Sequence, residues 1–215
     1  MFAIHARYRG RSAQRSDLVG RSAEALSTLD GVGEFARLGV EDIRAVVDSA
    51  ESVYEVTMAL LADGAWAIGI GIAPDEEEAA EAATRSLRKA SRAGKVYALV
   101  DDVEVDRAER AARADDITAI FGLLGHILHK RTPEGREATS LVRGGWNQNE
   151  AAEQLGISKQ AMSQRLQAAG WAAETAGWQL ALRVLDRAAD PSAKADLTCS
   201  VPGWSQNPRA ARPRR

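Results

Sequence analysis

The stretch Gln148–Gln167, QNEAAEQLGISKQAMSQRLQ, has the residue pattern of a helix-turn-helix motif. The alanine pair that begins at Ala151 is small enough for a first helix to approach a second closely. Gly156 can adopt the left-handed conformation that a tight turn requires. Met162 and Leu166 are four residues apart and therefore lie on one side of the second helix. The pattern predicts two short helices joined by a turn at Gly156.

The residues around this turn are typical of the same motif. Leu155 is expected to be the buried end of the first helix, and Ile157 to fill the turn. Ser158 is a good N-cap for the second helix, and Asn147 can cap the first. Trp146 precedes the motif, and we expect it to seal its base.

The second helix, residues 159–169, has an outward face suited to reading DNA in the major groove. Glutamine can hydrogen-bond adenine at two atoms, and lysine can reach guanine or phosphate. The backbone N–H groups at a helix N-terminus also bind phosphate. The residues predicted to contact double-stranded DNA are Ser158, Lys159, Gln160, Ser163, Gln164, Arg165 and Gln167. Arg143 and the basic C-terminal tail are further phosphate candidates. Small helical repeats and protein-interaction modules share such hairpins, so these alternatives stay open.

The first hundred residues predict a mixed α/β unit. Apolar runs of strand length alternate with helical stripes in the order β-α-β-β-α-β-α-β, which favours a palm-like (ferredoxin-like) sandwich. Within Trp66–Ala73 (WAIGIGIA), the glycines at 69 and 71 leave one face of a strand without side chains. The expected elements are strands Met1–Tyr8, Glu34–Leu38, Ile43–Asp48, Trp66–Ala73 and Val96–Val100, and helices Ser16–Leu29, Ser49–Asp63 and Pro74–Arg92.

Beyond Asp101 the strand patterns stop, and Asp115–Lys130 has one apolar helical face. The fold class is therefore α+β, a palm-like α/β domain followed by an all-α helix-turn-helix domain. The predicted division is residues 1–101 for the palm-like domain, 102–189 for the helical connector and helix-turn-helix domain, and 190–215 for a disordered basic tail.

Composition narrows the class of protein. The chain has 215 residues with 45% hydrophobic and 27% charged side chains, a net charge of −2 and one cysteine. These values favour a folded protein without an internal disulfide framework. No apolar run is long enough to cross a bilayer, and no secretory signal or metal-ligand spacing is visible. The expectation is a cytoplasmic protein with no cofactor and no bound metal.

The segments Ala67–Ala73 (AIGIGIA) and Ala151–Ala169 (AAEQLGISKQAMSQRLQAA), at this separation, resemble those of the bacterial SatD-like family. The N-terminal part of that family is similar to the palm of class III nucleotide cyclases and diguanylate cyclases. The resemblance implies a palm that could hold a nucleotide, with Arg7, Arg9 and Arg11 on its phosphates.

Cyclase palms need two carboxylates to hold Mg²⁺, one of them at the end of the first strand. That position is occupied here by Ala6 or Arg7, and Val40 replaces the glycine of the hairpin turn before Glu41-Asp42. We therefore expect no catalytic activity and no catalytic residues.

The resulting hypothesis is a sequence-specific DNA-binding protein, a transcriptional regulator acting as a homodimer, because symmetric pairs double the contact that one small module makes. Two alternatives accompany it. One is a nucleotide-sensing, degenerate cyclase-like module. The other is a protein-interaction adaptor that uses the helix-turn-helix fold.

Overall fold

The computed structural model describes residues 1–190 and residue 192. These residues form one five-stranded sheet and eight helices. The predicted tail, 190–215, lies almost wholly outside the described residues. The elements are β1 (Phe2–Tyr8), α1 (Arg15–Leu26), β2 (Ala36–Arg37), β3 (Asp42–Val47), α2 (Ala50–Asp63), β4 (Trp66–Ile72), α3 (Glu76–Ser86), β5 (Lys95–Val100), α4 (Arg107–His129), α5 (Pro133–Arg143), α6 (Gln148–Gln154), α7 (Lys159–Ala168) and α8 (Trp171–Ala189).

The sheet has the strand order β2-β3-β1-β4-β5. β1 pairs antiparallel with both β3 and β4, and β5 pairs parallel with β4. The first four strands thus have ferredoxin-like order, and α3 connects them to one added edge strand. The predicted order of elements and the α+β class are confirmed.

Strand β4 explains how helices cover both faces of the sheet. Its large side chains, from Trp66 to Ile72 at alternate positions, belong to the main core with those of α1 and α2. On the opposite face, a Cβ added at Gly71 would lie 2.1 Å from the Ala79 carbonyl oxygen, and one at Gly69 would lie 2.5 Å from that of Ala83. The two glycines therefore allow α3 to lie directly on the strand backbone.

The two largest of the three hydrophobic cores in the described residues divide the chain differently from the predicted boundary at residue 101. The larger core contains the sheet together with buried residues of α4, such as Phe121, and of α8, such as Leu185. The smaller core belongs to α5, α6 and α7. The connector helix and the last helix thus pack with the α/β part, because their apolar stripes cover α2 and the sheet edge at β5.

Several sequence expectations differ from the structure. The strand expected at Glu34–Leu38 is only Ala36–Arg37, and the first helix ends at Leu26 and not at Leu29. The helix after Pro74 ends at Ser86 and not at Arg92, because Leu87 turns to an extended conformation and buries its side chain. The helix expected at Asp115–Lys130 begins earlier, at Arg107, where Asp106 caps it. Trp146 is 43% exposed and does not seal the motif.

Among the residues that the structure describes, no helix is both long and apolar enough to span a bilayer.

Candidate nucleic-acid interface

Helices α5, α6 and α7 form a compact three-helix unit around the smaller core. α7 packs against both α5 and α6, and the small side chains of α6 allow the close approach that the sequence predicts. The fully enclosed residues of this core are Ala138, Ala151, Ala152, Met162 and Leu166. The arrangement is that of a helix-turn-helix motif with a supporting first helix.

The turn between α6 and α7 has the predicted geometry. Gly156 has a φ of 62°, in the left-handed region that disfavours other residues. The Ile157 N–H then donates to the Ala152 carbonyl at 3.0 Å, and its side chain packs against the small core. The turn fixes the direction in which α7 leaves the motif.

Side-chain caps begin both helices, as the sequence predicts. Asn147 accepts hydrogen bonds from the backbone at Asn149 and Glu150, while the Glu150 carboxylate accepts one from the Asn147 backbone. Ser158 Oγ accepts from the Ala161 N–H at 3.1 Å. The N-terminus of α7 is thus held without a charged side chain.

Six of the seven predicted DNA contacts are exposed on α7 or at its cap. Four of them lie on the face of the helix away from the buried Met162 and Leu166, whereas Lys159, seven residues before Leu166, is exposed at the first position of α7. Among the described residues these five side chains make no hydrogen bond or ion pair: Lys159, Gln160, Ser163, Gln164 and Gln167. Polar groups on this face are therefore free to bind a partner.

The two predicted arginine contacts of the motif already have partners. Arg165 lies half-buried on another side of α7, with its Nη1 atom 4.0 Å from the Glu137 carboxylate. Arg143 donates to Glu174 Oε1 at 2.5 Å, and its guanidinium lies 5.8 Å from the centre of the Trp171 ring. Lys159 is therefore the one cation of α7 that has no partner among the described residues.

Sequence reasoning missed the acid that organises this region. Glu174 is 4% exposed, and its carboxylate accepts hydrogen bonds from Arg131 as well as Arg143. Glu174 lies at helical spacing between Trp171 and Trp178, so it interrupts an otherwise apolar stripe. An acid on such a stripe is the signal that could have revealed a buried ion pair.

The arginines predicted to contact nucleotide phosphates, Arg7, Arg9 and Arg11, lie at and beyond the end of β1. Arg7 Nε donates to Asp42 Oδ1 at 2.5 Å, and Arg9 donates to the carbonyls of Lys89 and Ser91 at 3.1 and 3.3 Å. Arg11 is exposed beyond the end of β1. Two of the three guanidinium groups are therefore engaged within the protein.

The sheet face beside Arg7 holds a buried histidine. His5 is 2% exposed, with Nε2 2.8 Å from Asp42 Oδ1 and Nδ1 3.0 Å from the Thr84 hydroxyl. Burial lowers the pKa of His5, and the charges of Arg7 and Arg44 lower it further, against the opposing effect of Asp42. His5 is thus neutral near pH 7, and Nε2–H donates to Asp42 because a carboxylate can only accept.

Asp42 itself stays ionised. Burial alone would raise the pKa of Asp42, but hydrogen bonds from His5 and Arg7 lower it overall. The residue predicted to replace the first carboxylate of a cyclase palm is either Ala6, which is buried in the core, or Arg7, which pairs with Asp42. Within residues 1–190 and 192, no three His, Cys, Asp or Glu side chains cluster as a metal site would require.

No protein-family model matches this chain, and neither does any curated protein or solved structure. The resemblance to the SatD-like family therefore stays a prediction.

Proposed function

We propose that this chain is a sequence-specific double-stranded DNA-binding protein, a cytoplasmic transcriptional regulator that reads the major groove with α7. The observation that carries the proposal is the set of free, exposed side chains on α7: one lysine, three glutamines and one serine. Glutamine amides both donate and accept, which suits the edge of an adenine. A solvated helix of no function would more often carry charges of both signs on such a face.

The scarcity of cations on this face favours a symmetric dimer. One lysine per module provides weak attraction to phosphate, and most non-specific affinity for DNA comes from such contacts. Two copies bound to two half-sites double both the base contacts and the phosphate contacts.

The N-terminal arginines favour this proposal over a nucleotide sensor. Because Arg7 and Arg9 are engaged by Asp42 and by backbone carbonyls, a phosphate would have to displace those partners. The α7 face requires no such exchange.

The test is selection of bound duplexes from a random library, followed by fluorescence anisotropy with the enriched sequence and a shuffled control at two salt concentrations. Gln160→Ala and Gln164→Ala should relax the preference at individual base pairs, each costing about 1–3 kcal/mol at one position. Gln14→Ala, at an exposed glutamine before α1, is the matched control and should leave the affinity and the sequence preference unchanged.

Two other results of the DNA titration would contradict the proposal. Equal binding to both duplexes that disappears with salt would mean backbone attraction only. Absence of DNA binding at all salt concentrations would reject the proposal and lead to protein partners of α7.

A further inference from the structure

A cavity of about 360 Å³ lies where the two hydrophobic cores meet. Tyr54, on α2, comes from the side of the larger core, and Arg143 ends the supporting helix α5 of the smaller one. Trp171, Glu174 and Trp178 line it from α8. This volume is in the range of pockets that hold small organic molecules.

The walls of the cavity are flat and aromatic. The Tyr54 and Trp178 rings have centroids 6.5 Å apart, and Trp171 contributes a second indole. Trp178 is 40% exposed, although it lies on the apolar stripe of α8. Large aromatic surfaces beside an open volume favour a planar apolar ligand.

The charge of the cavity favours an anion. Both Glu174 oxygens are already engaged by arginines, and Arg131 is buried with further hydrogen bonds to Ala169 and Thr139. Arg143 is 54% exposed at its side chain and uses only Nη2 toward Glu174, so it keeps donors free toward solvent. Glu174, Arg131 and Arg143 together carry one net positive charge.

Tyr54 supplies a second free donor. Its hydroxyl makes no hydrogen bond among the described residues. Burial and the nearby Glu174 carboxylate raise the pKa of Tyr54 to about 12. The phenol is therefore protonated at neutral pH and can donate to an acceptor on a ligand.

We propose that this cavity binds a planar aromatic carboxylate, whose ring lies against Trp171 and Trp178 and whose carboxylate accepts from Arg143. A ligand there contacts residues of both cores, so its binding favours one relative placement of α5 and α8. The next step rests on the proposed function. If the placement of α5 relative to α8 affects how α7 meets DNA, a ligand that favours one placement changes the affinity of α7 for DNA.

The first test is isothermal titration calorimetry of the full chain with 2-naphthoate and with the neutral 2-naphthylmethanol. The intact chain should bind the carboxylate more tightly than the alcohol. Arg143→Gln should weaken naphthoate binding about ten-fold, as loss of one charge-assisted contact does. It should change alcohol binding less than about two-fold, and Arg143→Lys should recover part of the preference.

Trp178→Ala removes one wall and should weaken the binding of both probes. Trp146→Ala, at a similarly exposed tryptophan outside the cavity, should weaken the binding of neither. Circular dichroism melting verifies that each variant is folded. The proposal is overturned if neither probe binds the chain at millimolar concentration. It is also overturned if naphthoate binding is unchanged in both Arg143→Gln and Trp178→Ala.

The second test repeats the DNA titration with saturating 2-naphthoate. A change in DNA affinity of about five-fold or more, absent in Trp178→Ala, supports the coupling. Ligand binding with unchanged DNA affinity refutes the coupling alone. Ligand binding by a chain that binds no DNA refutes the proposed function and leaves the ligand site standing.

Discussion

Arg131 and Glu174 form an ion pair in which both residues are at most 5% exposed. Arg131 lies between α4 and α5, and Glu174 lies in the first turn of α8, so the pair joins the start of the helix-turn-helix unit to the last helix. Arg131 Nε also donates to the carbonyl of Ala169, at the end of α7, at 2.8 Å. A single buried guanidinium thus connects three helices.

Replacing Glu174 with glutamine should lower the free energy of unfolding by about 3 kcal/mol, because the buried Arg131 charge loses its counterion. Urea denaturation followed by circular dichroism measures the loss. The double variant Arg131→Met/Glu174→Leu should recover most of it, since apolar residues of similar size avoid the desolvation cost of both charges. A Glu174→Gln protein within 1 kcal/mol of the parent would contradict this account.

The contact between β4 and α3 gives a second prediction. An alanine at Gly71 would place its Cβ 2.1 Å from one α3 backbone atom and 2.2 Å from another, so Gly71→Ala must displace the helix. We expect a loss of about 3 kcal/mol or more in the free energy of unfolding. Gly122→Ala is the matched control, because Gly122 lies within α4 with open space around it. That change should stabilise the protein by up to about 1 kcal/mol.

If Gly122→Ala and Gly71→Ala change the free energy of unfolding in the same direction, the close contact with α3 does not explain the effect at Gly71. Thermal denaturation of both variants beside the parent distinguishes these outcomes.

The elements that the sequence predicted well are those with local causes. Gly156, Ser158 and Asn147 act through hydrogen bonds and dihedral angles within a few residues of themselves, and the structure has each in its expected role. The glycines of β4 likewise predicted a strand face without side chains. Local chemistry of this kind is readable without knowing the rest of the fold.

The features that the sequence did not predict depend on contacts between distant segments. Arg143 was a candidate phosphate contact, but a residue 31 positions later, Glu174, engages it. The core boundary also differs from residue 101, because α4 and α8 bury their stripes against α2 and the sheet edge. Periodicity identifies an apolar stripe and not the surface that covers it.

Lys159 should determine part of the salt dependence of DNA binding. It is the first residue of α7, is exposed and has no ion pair among the described residues. If it contacts a phosphate, Lys159→Gln should reduce the slope of log Kobs against log salt by about 0.9 per contact removed. Lys95→Gln, at an exposed lysine on β5, is the control and should leave the slope unchanged.

Anisotropy titrations at four or more salt concentrations measure these slopes. An unchanged slope in Lys159→Gln would mean that this side chain makes no phosphate contact, whatever its effect on sequence preference.

The burial of His5 makes the free energy of unfolding depend on pH, because burial is the largest of the effects that lower the pKa of His5. The pKa of His5 in the folded protein lies below its ordinary value of 6.5, so the unfolded chain binds a proton more readily than the folded one. The contribution of His5 to stability is therefore complete above pH 6.5 and is lost as the pH falls from there to the folded pKa. The free energy of unfolding should fall by up to about 1.4 kcal/mol per pH unit in that interval.

The pKa of Asp42 is lowered from 3.8, so its own contribution is lost only at more acidic pH, as the pH falls below 3.8. Urea denaturation at intervals between pH 4.5 and 7.5 covers the histidine step. His5→Gln should flatten the profile in that range, because no group then titrates in the pocket between Asp42 and Thr84. His126→Gln, at an exposed histidine on α4, should keep the parent's slope. If the free energy of unfolding of His5→Gln depends on pH as steeply as that of the parent, a group other than His5 takes up the proton.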